Sequence, residues 1–126
     1  NYGKHRRDFT YIDDIAESVV RVLDHPATPD PAWRSDEPRP STSNAPYRVY
    51  NIGNSQPVEL LYLIQLLEKH LGVKAELNLL PMQPGDVEDT IADVADLEQA
   101  INFVPGTSIE EGVARYISWY RGYYCR

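Results

Sequence analysis

Apolar side chains recur with helical spacing in several stretches of this sequence of 126 residues. The first stretch, from residue 15 to about residue 24, predicts an amphipathic helix capped by Asp13 or Asp14. Pro26 is expected to end it, because proline cannot continue a helix. A strand is predicted just before this helix from its β-forming side chains, which are Phe9, Tyr11 and Ile12.

A wider apolar stripe predicts a second helix, which opens at residues 56–59 with Pro57 in its first turn and ends at Gly72. Apolar runs at residues 48–52 and 75–80 predict a strand on each side of it. The stripe consists of Leu60, Leu61, Leu63, Ile64, Leu66, Leu67 and Leu71.

Two more helices are predicted towards the end of the chain. One runs from about residue 93 to residue 101 and stops at Asn102, a residue type that tolerates the left-handed conformation. Ser108 and Glu111 form a capping box that starts the other. We interpret one face of this last helix as core packing; it carries Ile109, Val113, Tyr116, Ile117, Tyr120 and Tyr124. The alternating order predicts an α/β fold with too few strands for a complete doubly wound sheet.

Residues 25–47 are predicted to be a long loop, since six of the ten prolines of the chain lie there. Trp33 is its one large apolar anchor. We interpret the loop as a surface excursion, with a functional role as the alternative.

Composition excludes several classes of function. Twelve basic and nineteen acidic side chains give a net charge of −7, which disfavours nucleic acid and anionic membrane as partners. No apolar run approaches the ~20 residues that cross a bilayer. Three scattered histidines predict no metal site. The single Cys125 excludes an internal disulfide and fits a reducing, cytoplasmic compartment. The first residues show no initiator Met and no apolar signal core, so we expect a piece of a longer protein.

The strongest candidate for chemistry is the basic pair Arg6-Arg7, which lies beside aromatic residues in an acidic chain. An arginine fork there matches phosphate oxygens. The alternative is a surface arginine paired with Asp8 or with the loop. No glycine-rich phosphate loop and no nucleophile motif is present. The acidic residues near the later helix starts are interpreted as capping and solvation: Asp86, Glu88, Asp89, Asp93 and Asp96.

Three motifs together resemble a known family. They are Arg7-Asp8-Phe9-Thr10-Tyr11-Ile12-Asp13-Asp14, Tyr50-Asn51-Ile52-Gly53-Asn54 and Pro81-Met82-Gln83-Pro84-Gly85-Asp86. Nearly the whole chain resembles the C-terminal part of extended short-chain dehydrogenase/reductase nucleotide-sugar epimerases, in particular the UDP-glucuronate 4-epimerases. The first motif marks the wider superfamily, whereas the other two and the long loop indicate the glucuronate branch.

The resemblance implies a substrate, a cofactor and roles for three residues. Arg7 would bind the diphosphate of a UDP-sugar, Asp86 would lie near the uridine ribose, and Gln83 would stand where galactose-type epimerases have arginine. Lys4 and Arg6 would add positive potential only. NAD would bind mainly to an N-terminal Rossmann domain, and the Tyr-x-x-x-Lys pair of the family is not in this sequence. No catalytic residue is therefore expected here, and the chain alone is predicted to be inactive.

The resemblance also predicts the organisation of the chain. Residues 1–57 would complete the NAD-binding Rossmann domain, and residues 58–126 would form the substrate-binding region of a homodimeric parent enzyme in polysaccharide biosynthesis. We expect the isolated chain to be marginally stable, swapped or oligomeric. The alternatives are a fragment of a nucleotide-sugar 4,6-dehydratase or decarboxylase, and a non-catalytic binding module.

Overall fold

Two strands and four helices make up the part of the chain that the computed structural model describes, residues 1–124; Cys125 lies outside it. In chain order they are β1 (Arg6–Asp8), α1 (Ile12–Leu23), β2 (Pro57–Glu59), α2 (Leu60–Leu71), α3 (Ala95–Ile101) and α4 (Ile109–Tyr124). The predicted helices are therefore confirmed, and most of the predicted strands are not.

The first strand lies earlier than the sequence predicted, because its position is set by its partner. Residues 6–8 pair antiparallel with β2 in the register Arg6↔Glu59, Arg7↔Val58, Asp8↔Pro57. A strand in the run before the first helix is therefore confirmed, but Phe9, Tyr11 and Ile12, whose side chains suggested it, lie outside it, and α1 begins at Ile12.

The predicted caps of α1 were also wrong. Tyr11 occupies the N-cap position, and Asp13 and Asp14 lie in the first turn. The Asp14 carboxylate instead accepts hydrogen bonds from the backbone amides of Gly106 and Thr107, at 3.2 and 2.9 Å. Asp14 thus fastens α1 to the turn before α4, while both acids favour the positive end of the helix dipole.

The second helix begins later than predicted, because residues 57–59 form β2 before α2 starts at Leu60. Its predicted end is confirmed: Gly72 has φ 74° and its amide donates to the Glu68 carbonyl at 2.8 Å. Glycine enters this left-handed region without the steric cost that a Cβ imposes.

The strands predicted at residues 48–52 and 75–80 are absent from the described part of the chain. Residues 48–52 are irregular apart from one isolated bridge between Thr42 and Arg48. Residues 75–80 are also irregular, although the Leu80 carbonyl accepts the Tyr2 amide at 2.8 Å. Apolar composition was a poor guide at both places because a strand also needs a neighbour for its hydrogen bonds.

The predicted long loop is confirmed but extends further than expected, because residues 48–52 form no strand and the irregular segment continues to residue 56. Residues 25–47 hold no helix or longer strand, only the isolated bridge Arg34↔Glu37 and one side of the bridge to Arg48. Trp33 is partly buried, in agreement with its predicted anchoring role.

The core includes a small apolar cluster between two helices. Leu66 of α2 packs there with Val113 and Ile117 of α4, surrounded by partly buried Leu63, Leu67 and Ile109. Leu97 and Ile101 of α3 are also buried, and α3 contacts α1. The helix end at Asn102, with φ 48° and ψ 46°, is as predicted.

The tyrosines of α4 are less buried than predicted. Tyr116 and Tyr124 are about half exposed, at 49% and 52%. With Trp119, Tyr120 and Tyr123 they form a ladder of ring contacts along the helix, with centroids 4.9–6.3 Å apart. Interpreting the tyrosine stripe as core was therefore wrong for these two positions, because only Val113 and Ile117 of that stripe reach the core in full.

Candidate functional site

Strand β1 lies between two segments that are distant in sequence. On one edge it pairs with β2. On the other edge the Arg6 amide donates to the Glu88 carbonyl at 2.9 Å, and the Thr90 amide donates to the Arg6 carbonyl at 3.2 Å. This parallel bridge fixes residues 88–90 beside β1. The loop predicted to contain Gln83 and Asp86 is thereby brought next to the arginine pair.

Arg7 and Asp86, both predicted site residues, are in contact. The Arg7 Nη2 atom donates to Asp86 Oδ1 at 3.2 Å, and Nη1 donates to the carbonyls of Arg6 and Glu88 at 2.9 and 3.0 Å. The Arg7 side chain is 29% exposed. Arg7 is thus oriented by two carbonyls and one carboxylate.

Asp86 lies in a turn, with a histidine beside its carboxylate. Gly85 has φ 85°, a value that favours glycine, and the Asp86 amide donates to the Gln83 carbonyl at 3.2 Å. His5 Nε2 lies 3.2 Å from Asp86 Oδ2, on the side of the carboxylate away from Arg7. The sequence did not single out His5, whose side chain is only 14% exposed.

Gln83 lies in the same turn but is less tightly placed. Its residue is exposed, and it contributes its backbone carbonyl to the turn. A neutral amide there can donate or accept hydrogen bonds but adds no ionic attraction for an anion.

Arg6 differs from Arg7 in its surroundings. Its guanidinium binds both carboxylate oxygens of Asp89, at 3.0 and 2.7 Å, and both side chains are about half exposed. This contact lowers the pKa of the Asp89 carboxyl and raises that of Arg6. Arg6 and Arg7 are thus both paired with acidic residues, Asp89 and Asp86, in the segment beside β1 and not with Asp8 or the long loop.

Asp8 is a second residue of this region that sequence reasoning missed. Its Oδ1 accepts the backbone amides of Asn54 and Gln56 at 3.2 and 3.3 Å, and its Oδ2 accepts those of Ser55 and Ala92, both at 3.0 Å. The partners lie 46 to 84 residues away in sequence. No local pattern could have distinguished this aspartate from an exposed one.

Neither strand-to-helix junction of the described residues is a glycine-rich cradle for the pyrophosphate of NAD. Their two strand-to-helix junctions contain no glycine: residues 9–11 connect β1 to α1, and β2 runs directly into α2. Asp13 and Asp14 in the first turn of α1 oppose an anion at that helix end. No step involving NAD is therefore assigned to residues 1–124.

No group of three or more histidine, cysteine or acidic side chains among residues 1–124 could hold a metal ion. None of the helices α1–α4 is long and apolar enough to span a membrane.

Comparison with known proteins was made by sequence and by structure. No model of a protein family matched the chain. It is 52% identical over 124 residues to an uncharacterized 37.6 kDa protein of Escherichia coli O111:H-, covering 98% of the chain and 37% of that protein. It is 44% identical over 125 residues to a probable UDP-glucuronate 4-epimerase of Rhizobium meliloti, again covering 98% of the chain and 37% of the relative.

A solved structure agrees with these relatives. The UDP-glucuronic acid 4-epimerase of Bacillus cereus in complex with NAD superimposes with a TM-score of 0.67 at 26% identity, over 96% of this chain and 31% of that one. The chain thus spans about a third of the length of the relatives it matches. In sequence and in fold, it corresponds to the C-terminal part of the extended short-chain dehydrogenase/reductase nucleotide-sugar epimerases.

Proposed function

We propose that this chain is the nucleotide-sugar-binding portion of an NAD-dependent UDP-glucuronate 4-epimerase, which interconverts UDP-glucuronate and UDP-galacturonate. The observation that supports the proposal is the contact between Arg7 and Asp86, because an arginine fork suits phosphate oxygens and a carboxylate suits sugar hydroxyls. The names of similar proteins from Rhizobium meliloti and Bacillus cereus support the choice of substrate.

Arg7 is assigned to the diphosphate. Arginine carries five N–H donors, and within residues 1–124 Arg7 uses three of them. The others are available to phosphate oxygens, and charge-assisted bonds of this kind are among the strongest that a side chain makes. The two carbonyl contacts keep the guanidinium in place, which reduces the entropy lost when a ligand binds.

Asp86 is assigned to the ribose. An ionised carboxylate only accepts hydrogen bonds, so sugar hydroxyls suit it and phosphate oxygens do not. Gln83, in the same turn, would hydrogen-bond ribose or phosphate as a neutral side chain. The two kinds of polar group thus match the two chemically different halves of a nucleoside diphosphate.

Catalysis is assigned to a part of the parent enzyme outside this chain. The lysines are Lys4, Lys69 and Lys74, and none of them follows a tyrosine by four residues. The Tyr-x-x-x-Lys pair expected to transfer the proton is therefore not encoded, and the chain alone would bind without catalysing. We place the parent enzyme in the cytoplasm as a homodimer.

Titration calorimetry with UDP at millimolar concentration tests the binding role. The unmodified chain should bind UDP, and Arg7→Ala should weaken binding at least tenfold, because a hydrogen bond to a charged group contributes about 1.5–3 kcal/mol. Arg34→Ala is the matched control, because Arg34 also pairs with an aspartate, Asp36 at 2.6 Å, but lies in the long loop. The Arg34→Ala variant should bind UDP as tightly as the unmodified chain. Absence of heat with UDP, or equal binding by Arg7→Ala, would refute the assignment.

A further inference from the structure

Asp8 has no role in the binding scheme proposed above, yet it joins three segments that build the site. Its carboxylate accepts four backbone amides, from the turn at residues 54–56 and from Ala92. Its own amide points towards Thr90 Oγ1 at 3.4 Å. Strand β1, the turn and the segment that follows Asp86 therefore meet at one side chain.

The packing at this point leaves no spare room. A Cβ atom added to Gly53 would lie 2.3 Å from the Ala92 Cβ and 2.9 Å from Asp8 Oδ2. A side chain there would push the two segments apart, so glycine is required by close approach. The Asp8 carboxylate thus lies between the turn and Ala92, and its hydrogen bonds set the distance between these two segments.

The position of Asp8 links it to the ligand-binding residues on both sides. Arg7 directly precedes it in β1, and Asp86 belongs to the segment that Asp8 fixes at Ala92 and Thr90. A shift of that segment along β1 would change the separation of Arg7 and Asp86. We propose that Asp8 is a positioning residue, which sets the spacing between the diphosphate-binding Arg7 and the ribose-binding Asp86. This inference rests on the proposed function.

Charge and geometry predict opposite effects for one substitution. Asp8→Asn removes a negative charge from the neighbourhood of Arg7, which by electrostatics alone would strengthen the binding of an anion. It also replaces one acceptor oxygen by an N–H donor that faces backbone N–H groups. If Asp8 acts by positioning, UDP binding weakens despite the more favourable charge.

The test is an NMR titration of the full chain with UDP and, separately, with uridine. Asp8→Asn should weaken UDP binding about tenfold, the range seen when a residue that orients a binding group is lost. Uridine binding should change by less than about twofold, since the diphosphate contact is the one that depends on Arg7. Asp36→Asn, with the same charge change in the long loop, is the control and should bind both ligands normally.

Asp8→Glu is the second variant, because it keeps the charge and moves the acceptors by one methylene; it should lower the ratio of UDP to uridine affinity in the same way. Unchanged or tighter UDP binding by Asp8→Asn, with Arg7→Ala weakened, would overturn this inference alone. Equal weakening for UDP and uridine, or melting curves showing neither Asp8 variant folded, would assign Asp8 to folding and also overturn it. Failure of the unmodified chain to bind UDP would overturn the proposed function and this inference with it.

Discussion

Replacing Asp86 by asparagine should have opposite effects on two ligands of Arg7. The Asp86 carboxylate lies 3.2 Å from the Arg7 guanidinium, so an anion bound by Arg7 lies close to a fixed negative charge. Asp86→Asn removes this repulsion and should strengthen the binding of pyrophosphate. The same change removes the charged acceptor proposed for the ribose, and should weaken the binding of UDP.

The magnitudes follow from the geometry. The Arg7 and Asp86 side chains are 29% and 40% exposed, so a dielectric constant close to that of water applies. At a separation of about 6 Å, repulsion is then about 0.7 kcal/mol per phosphate charge, or roughly threefold in affinity. The two charges of a diphosphate then give a gain of about 1.4 kcal/mol. Loss of a hydrogen bond to a charged group costs about 1.5–3 kcal/mol, so UDP binding should on balance be a few-fold weaker.

Calorimetric titrations with pyrophosphate and with UDP, at one low ionic strength, measure both effects. Repeating the pyrophosphate titration at high salt should abolish the difference between the variant and the unmodified chain, because screening acts on the repulsion. Asp24→Asn, an exposed aspartate at the end of α1, controls for net charge. Pyrophosphate binding that is unchanged or weaker in Asp86→Asn would refute the placement of the anion beside Arg7.

Two further predictions concern stability. Leu97→Ala should lower the free energy of unfolding by about 2–5 kcal/mol, measured by urea denaturation, because Leu97 is fully buried; a loss below about 1 kcal/mol would contradict its place in the core. Glu110 accepts the Tyr62 hydroxyl at 2.6 Å, and this bond lowers the pKa of the Glu110 carboxyl below its ordinary value. At pH values above the pKa of Glu110 in the unfolded chain, near 4.3, the bond therefore adds stability. This stability is lost as the pH falls through the lower pKa of Glu110 in the folded chain. Between pH 6 and pH 3 the melting temperature of Tyr62→Phe should decrease less than that of the unmodified chain. An identical decrease in the two proteins would refute the contribution of this bond.

The helices were predictable because their determinants are local. The apolar stripe of α2, the left-handed Gly72 and Asn102, and Ser108 at the start of α4 each act within a few residues. The Ser108 hydroxyl indeed accepts the Glu111 amide at 3.2 Å, while the Glu111 carboxylate pairs with Arg115.

The strands were not predictable, since each depends on a partner elsewhere. Residues 6–8 are polar and charged, and they become β1 only because residues 57–59 and 88–90 lie on either side. Residues 48–52 have more of the β-forming side chains typical of a strand. Of these five described residues, however, only Arg48 forms an isolated bridge. Hydrogen-bond partners, more than side-chain propensity, decided these assignments.

The candidate site was predicted in part. The resemblance selected Arg7, Gln83 and Asp86, and the structure places Arg7 and Asp86 in contact and Gln83 in the turn beside them. His5 and Asp8 could not be found in this way, because their importance comes from contacts with Asp86 and with distant backbone amides. Spacing in the sequence carries no information about such contacts.

The parallel bridge beside β1 has a consequence for the order of folding. Arg7 and Asp86 are 79 residues apart, so their contact closes a loop whose conformational entropy costs about 4 kcal/mol by the logarithmic law for chain closure. Few apolar side chains lie at this junction to offset that cost early, whereas α2 and α4 bring together the buried cluster around Leu66. The helices are therefore expected to associate first, and the contact between Arg7 and Asp86 to be among the last to form.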